Sequence, residues 1–122
     1  MIEIHELNHV ALHVADVVRS VAFYRDSLGL KQIPRPDFDF PGAWFALGPS
    51  QELHLIGDRQ ERVPSGHRAG HFALRVRSIK EVESYLHAQG IPMHGPKQRP
   101  DGVWQIFIKD PDGHAVEFSE LG

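Results

Sequence analysis

The chain carries the same short sequence pattern once in each half. Residues 8–14, NHVALHV, align with residues 70–76, GHFALRV, and the two stretches share His, Ala, Leu and Val at matching positions. Each stretch predicts a β-strand, because apolar residues alternate with polar or small ones. A strand repeated in this way predicts two modules that share one fold.

A helix pattern follows each repeated strand. In the first half, Asp16 is an N-cap residue type that precedes an apolar stripe ending at Gly29. In the second half, Ser78 with Glu81 three residues later forms a capping-box pattern, and Gly90 ends the stripe. Helices are therefore predicted at equivalent places in the two halves.

Three further strands complete each predicted module, because a short strand and a loop lead to a hairpin in each half. The hairpin strands are predicted at residues 43–47 and 52–56 in the first half and at 103–109 and 114–119 in the second. The predicted fold class is α+β, with two tandem βαβββ modules. The predicted bounds are 1–57 for the first module, 58–68 for a polar linker and 69–122 for the second module.

The composition limits which partners and chemistries are open to the chain. At 122 residues and 41% hydrophobic content it can bury one compact core or two small halves that share one. The formal charge of -3, with mixed signs, gives no basic stripe, so we expect no nucleic acid partner. The absence of cysteine excludes disulfides and thiolate ligands. No run reaches membrane-spanning length and the start lacks signal-peptide features, so we expect a cytoplasmic protein without a membrane partner.

Strand parity predicts one apolar and one polar face for each sheet, because residues two apart share a face. The first-strand residues predicted to face away from the helices are His9, Ala11 and His13 in the first half and His71, Ala73 and Arg75 in the second. The last-strand residues predicted on the same faces are Glu52 and His54 in the first half and Ala115, Glu117 and Ser119 in the second. Such a polar face must be covered either by water or by a bound ligand. Two such faces curled toward each other would form a cup.

The predicted floor of this cup carries a ligand set for a divalent metal: His9, His54, His71 and Glu117. Imidazoles with one carboxylate suit Zn²⁺, Ni²⁺, Co²⁺, Mn²⁺ or Fe²⁺, whereas Mg²⁺ and Ca²⁺ prefer oxygen ligands. The alternative for His9 and His71 is a core histidine bonded to backbone. In the repeat, Leu-His-Leu around His54 lies over Val-Glu-Phe around Glu117, so these two residues are predicted to be equivalent.

The ordered motifs resemble the vicinal oxygen chelate superfamily, which includes glyoxalase I, extradiol dioxygenases and bleomycin-resistance proteins. The motifs are LNHVALHVADVVRSVAFYRDSLGL at 7–30, AWFALGPSQELHLI at 43–56, GHFALRV at 70–76 and DPDGHAVEF at 110–118. The resemblance implies paired βαβββ modules in a cup-shaped, half-barrel mixed sheet with helices on its outer face. It further implies a homodimer and a metal that holds two adjacent substrate oxygens. The family's ligand positions fall on His9, the fourth strand, His71 and Glu117.

The fourth strand of the first module offers two candidate ligands. His54 aligns with the family's ligand position, where glyoxalase I and many relatives carry Glu or Gln, and Glu52 lies one step along the same face. If His54 binds the metal, Glu52 is a candidate general base, with a solvated carboxylate as the alternative. If Glu52 binds instead, His54 becomes the candidate base. Glu117 is the other candidate catalytic carboxylate.

Four residues are candidate substrate contacts. His13 and Arg75 occupy equivalent positions higher in the predicted cup, where they would meet an anionic group or form a rim pair satisfied by water or Ser119. Trp44 and Trp104 start the penultimate strand of each half and would add an apolar wall.

The resemblance implies three kinds of function. The first is a metal-dependent lyase or isomerase similar to glyoxalase I, in which a carboxylate moves a proton. The second is an extradiol-type dioxygenase, which resembles the pattern with two His and one Glu around Fe²⁺; a fourth ligand at His54 argues against it. The third is a drug- or metabolite-binding protein of the bleomycin-resistance type, against which the full ligand set argues. Nothing in the sequence identifies the substrate or a thiol cosubstrate.

Overall fold

Each half of the chain folds as one strand, one helix and three further strands. The computed structural model describes residues 1–64, 66 and 68–121. The elements are β1 (His9–His13), α1 (Val17–Val21), a π-helical segment (Ala22–Ser27), β2 (Gln32–Ile33), β3 (Gly42–Leu47), β4 (Gln51–Ile56), β5 (His71–Val76), α2 (Ile79–Ala88), β6 (His94–Gln98), β7 (Trp104–Lys109) and β8 (Ala115–Glu120). The predicted α+β class and the βαβββ order of both modules are confirmed.

Each module has its own four-stranded mixed sheet. The strand orders are β1-β4-β3-β2 and β5-β8-β7-β6. In both sheets the first strand pairs in parallel with the last, and the other pairs are antiparallel. The chain separates into compact units of residues 1–61 and 62–122. The boundary falls in the predicted linker, 58–68, whose residues 65 and 67 lie outside the described residues, as does residue 122 at the predicted end of the second module.

The first helix begins at its predicted cap and changes geometry before it ends. The Asp16 side chain accepts hydrogen bonds from the amides of Val18 and Arg19 at 3.0 and 3.3 Å. Beyond Val21 the helix continues as the π-helical segment, which the sequence pattern did not predict. Gly29, with φ of 81°, lies just after it, as expected for a residue that ends a helix in the left-handed region.

The second helix has the termini that its sequence predicts. Ser78 Oγ accepts a hydrogen bond from the Glu81 amide at 3.2 Å, and Gly90 follows the helix with φ of 69°. The Ile79 amide donates to Glu120 Oε2 at 2.7 Å, which ties the start of the helix to the end of β8. No helix within the described ranges has the length and apolar character needed to cross a membrane.

One face of each sheet packs against the helix of the same module. The first helix contacts β3 and β4, and α2 contacts β7 and β8. Leu53 and Leu55 on β4 are fully buried, and the Tyr24 ring lies 6.1 Å from that of Phe45, centroid to centroid. Burial of one such side chain stabilises a fold by roughly 1.5–3 kcal/mol. The opposite face, here called the open face, is left to the polar residues.

Candidate functional site

The two open faces place their polar residues at the same positions in the backbone register. His9 and His71 begin β1 and β5, and two residues further along an alanine stands opposite His54 in the first sheet and opposite Glu117 in the second. His9 is therefore the counterpart of His71, and His54 that of Glu117. The equivalence predicted from the repeat is confirmed.

The open face of the first module carries a stack of three rings. The imidazole of His54 lies 3.9 Å from the ring of Trp44, its partner across β3 and β4, at an interplanar angle of 2°. On its other side it lies 4.1 Å from the ring of His9, at 16°. Stacked aromatic pairs contribute about 0.5–1.5 kcal/mol beyond area burial. The stack therefore fixes the plane in which His54 presents its nitrogens.

Hydrogen bonds fix the nitrogens of both histidines in this stack. His9 Nδ1 donates to Asn8 Oδ1 at 2.9 Å, which leaves Nε2 as the nitrogen with the lone pair in the neutral ring. His54 Nε2 donates to Glu52 Oε1, also at 2.9 Å. Glu52 is thus held by a side-chain hydrogen bond from His54. The two predicted alternatives for the fourth-strand ligand lie in direct contact.

The open face of the second module centres on a buried carboxylate. Glu117 is 4% exposed, and its Oε2 accepts hydrogen bonds from Gln105 Nε2 at 3.0 Å and from Ser119 Oγ. The other oxygen, Oε1, lies 3.1 Å from His71 Nε2. Two donors therefore occupy one oxygen and leave Oε1 facing the histidine, so Glu117 presents a single oxygen to a ligand.

The surroundings of Glu117 keep it ionised. Burial alone would raise the pKa of this carboxyl group, but the hydrogen bonds from Ser119 and Gln105 lower it. The positive charges of His71 and Arg99 lower it further, so the pKa of Glu117 lies below its ordinary value. An ionised carboxylate accepts hydrogen bonds and can coordinate a cation.

Both modules hold an imidazole and a carboxylate in direct contact. The separations of 2.9 Å in the first module and 3.1 Å in the second join a histidine nitrogen to a glutamate oxygen. Within the described ranges no group of three or more such side chains forms. Each module on its own therefore supplies one imidazole and one carboxylate, a donor pair that is smaller than a metal-binding cluster.

A cavity of about 520 Å³ opens on the second module next to the carboxylate. It is lined by Arg68, His71, His94, Lys97, Arg99, Gln105, Phe107 and Glu117. The Phe107 ring contacts that of His71 edge to face, with centroids 5.7 Å apart. Sequence reasoning missed Gln105 and Phe107, although their alternation with Ile106 and Ile108 along β7 gave a signal for their face.

The other predicted substrate contacts lie in different settings. His13 Nε2 is 3.0 Å from the Gly57 carbonyl oxygen, so its ring ties β1 to the segment after β4. Arg75 is exposed on β5 opposite Ser119. Trp44 lies on the open face in the ring stack described above.

Trp44 and Trp104 do not occupy equivalent positions in the two sheets. Trp44 stands opposite His54, and the residue that stands opposite the counterpart Glu117 is Phe107. Trp104 starts β7 opposite Glu120 and, by strand alternation, lies on the other face from Phe107. The turn between the last two strands differs in length between the modules. Residues at the starts of β3 and β7 are therefore not equivalent. Trp104 therefore does not share the open face with Glu117.

Comparison with known proteins places the chain in a family. Residues 6–118 match the model of the Glyoxalase/Bleomycin resistance protein/Dioxygenase superfamily. The chain belongs to this superfamily. The match covers both modules and confirms the predicted relationship to glyoxalase-like vicinal oxygen chelate proteins.

Individual superfamily members align over nearly the whole chain. A lactoylglutathione lyase from Salmonella typhimurium is 28% identical and aligns over 93% of this chain and 91% of its own length. One from Neisseria meningitidis serogroup A is 30% identical, over 92% and 88%. A solved protein from Bacillus anthracis, assigned to the glyoxalase family, is 30% identical, with a TM-score of 0.84 and coverage of 100% of this chain and 99% of that one.

Proposed function

We propose that this protein is a metal-dependent lyase or isomerase of the glyoxalase I type that acts on a small substrate through two adjacent oxygens. The observation that carries the proposal is the repeated register, which sets a histidine on the first strand and a second donor on the last strand of both modules. The similarity to two lactoylglutathione lyases over most of their length supports the reaction type. The family resemblance also supports a cytoplasmic homodimer.

The ligands in this proposal are His9, His54, His71 and Glu117, a set that rests on the family's pattern. When bound, a divalent Zn, Ni, Co, Mn or Fe ion would polarise a carbonyl and stabilise negative charge on adjacent oxygens. The tautomer of His9 leaves Nε2 free to coordinate, and Glu117 offers Oε1. Three neutral imidazoles and one carboxylate would leave a divalent site net positive, which favours anionic oxygen ligands.

Glu52 is the proposed general base. Its Oε1 is bonded to His54, and Oε2 has no hydrogen-bond donor among the described residues. That second oxygen can take a proton from a carbon next to a substrate carbonyl and return it to the neighbouring carbon. Trp44 keeps the His54 ring from turning, which holds the Glu52 carboxylate in place. If Glu52 is the ligand, His54 takes the role of base.

The test is the metal content per chain of untagged protein purified without chelators, measured by elemental mass spectrometry. We expect close to one transition metal ion per proposed site, and a large loss in His54→Ala. His87→Ala, which removes an exposed histidine from α2, is the matched control and should keep the metal. Absence of metal, with none taken up from Ni²⁺, Zn²⁺, Mn²⁺ or Fe²⁺, would overturn the proposal.

The ligand and the base can be separated by one further variant. Glu52→Gln keeps the size of the side chain and removes its basicity. If His54 is the ligand, this variant should keep the metal and lose turnover of a hemithioacetal formed from a 2-oxoaldehyde and a thiol. If Glu52 is the ligand, it should lose the metal. Turnover of a catechol with O₂ in place of the hemithioacetal would point to a dioxygenase.

A further inference from the structure

The cavity of the second module carries more positive than negative charge. Three of its lining side chains are cationic, namely Arg68, Lys97 and Arg99, and Glu117 is its single carboxylate. The Glu117 charge is already met by hydrogen bonds from Gln105 and Ser119 and by the nearby His71. The cavity therefore holds positive charge that the carboxylate at its floor does not balance.

Two of the three cations have no acidic partner in the part of the chain that the structure describes. Arg99 is bonded to Asp101 through Nε at 2.9 Å and Nη2 at 2.6 Å, so its charge is compensated. Lys97 and Arg68 form no ion pair with any described residue. A lysine and an arginine that face a cavity without counter-charge are well placed to receive an anion from outside the chain.

The unpaired lysine lies next to the donor pair of the proposed site. Lys97 Nζ is 5.6 Å from the centre of the Phe107 ring, and the same ring contacts His71 at 5.7 Å. The cavity of about 520 Å³ is in the range of small-molecule sites. A molecule that reaches His71 and Glu117 can thus place a charged group beside Lys97.

We propose that Lys97 and Arg68, with Arg99 beside them, form a cationic wall that binds an oxyanion of the substrate, a carboxylate or a phosphate. The substrate of the proposed lyase or isomerase is then an anionic small molecule, a step that rests on the proposed function. Lysine supplies a point charge and Arg68 can add a two-pronged contact, which together suit either oxyanion.

The test is an NMR titration of the full chain after removal of metals. Inorganic phosphate and succinate are added separately at constant ionic strength, with chloride as the reference anion, and backbone amide shifts are followed. We expect saturable shifts around Lys97, Arg99 and Phe107. Loss of one charge-assisted contact should weaken binding about tenfold in Lys97→Gln. Lys80→Gln, an exposed lysine lost from α2, is the matched control and should bind as the wild type does.

The outcomes decide between specific binding and general charge attraction. Weaker binding in Lys97→Gln and Arg68→Gln, with Lys80→Gln unchanged, supports the wall, and the tighter of the two anions identifies the oxyanion. Equal weakening in all three variants, or no saturable shift with either anion, overturns it. Because no metal is present, the result is independent of the proposed reaction. If the protein binds the anion but never takes up metal, the anion site is supported and the proposed lyase activity is overturned.

Discussion

The open faces of the two modules share a backbone register and differ in how they hold their central donor. In the first module the imidazole of His54 is stacked between two other rings, and its carboxylate partner lies at the side. In the second module the carboxylate of Glu117 is central, and buried hydrogen-bond donors hold it. The two modules thus share a register, and each supports its central donor differently, by stacking for an imidazole and by hydrogen bonds for a charge.

The difference gives the two open faces different chemistry. The first carries aromatic rings and a carboxylate, Glu52, with one oxygen that accepts no hydrogen bond from the described residues. The second carries a buried carboxylate beside a cavity with more positive than negative charge. Two sheets with the same register can therefore carry faces of different chemistry.

The largest effect is expected where the modules are alike, on the buried faces. Leu55→Ala should lower the free energy of unfolding by about 2–5 kcal/mol, because the side chain is fully buried and its loss leaves a cavity. Ile56→Ala, on the next residue and 36% exposed, is the control and should cost less than half as much. Urea unfolding measures both. A similar cost at the two positions would mean that the helix does not cover this face.

The next prediction compares the central donors in metal-free protein. Glu117→Ala should lower the free energy of unfolding by about 1–3 kcal/mol, because Gln105 loses its acceptor in a buried setting. His54→Ala should cost about 1 kcal/mol, since it removes ring stacking and leaves Glu52 partly exposed to water. Thermal unfolding of the two variants after chelation tests the order. The reverse order would show that the stack, and not the buried carboxylate, is the more important support.

A smaller effect is expected from the group that positions Glu117. Ser119→Ala removes one of the two donors to Oε2 and frees the carboxylate to turn, so the affinity for added Zn²⁺ should fall about tenfold. The free energy of unfolding should change by only about 1 kcal/mol, because Gln105 still bonds that oxygen. Calorimetric titration with Zn²⁺ provides the measurement, and Ser84→Ala on the exposed side of α2 is the control. An unchanged affinity for Zn²⁺ would show that Ser119 does not position Glu117.

The smallest effect concerns the rim of the cationic cavity. The hydrogen bond from Arg99 lowers the pKa of Asp101 from 3.8 to about 2. Because the folded pKa lies below the unfolded one, this pair stabilises the fold above about pH 4, and the contribution is lost as the pH falls toward 2. Carbon-detected NMR should show Asp101 still ionised at pH 3. In Arg99→Gln the midpoint should return toward 3.8. A wild-type midpoint near 3.8 would mean that the pair is open in solution.

Most of the fold could be predicted from the sequence because local signals agreed with the repeat. The matched histidines His9 and His71 marked both first strands, and period-two alternation separated the leucines of β4 from His54. Caps at Asp16 and Ser78 set both helix starts. In each case neighbouring residues determine the structure, so sequence alone is sufficient.

The missed features depend on contacts between strands. Trp44 and Trp104 were both predicted as substrate contacts near the start of their strands, whereas the pairing with β4 and β8 makes Phe107 the counterpart of Trp44. Gln105 is polar and yet buried, because the carboxylate that accepts its hydrogen bond comes from another strand. Lys97 and Arg68 are far apart in sequence and line one cavity only after the second module has folded. The π-helical segment had no signal in the apolar pattern.

The parallel pairing of first and last strands has a consequence for how the chain acquires its donors. The two strands of each hairpin are joined by a short turn. In contrast, β1 pairs with β4 and β5 pairs with β8, so most of the module lies between the two paired strands. Long-range pairing of this kind carries the larger loop-closure cost and forms late. His71 lies on one of these late strands, so a half-folded second module displays Glu117 without its histidine, whereas the His54–Glu52 pair lies within β4 and needs only the hairpin. We expect hydrogen exchange to show that β1 and β5 open before the hairpins do. When these strands open, His9 and His71 leave the positions proposed for metal binding.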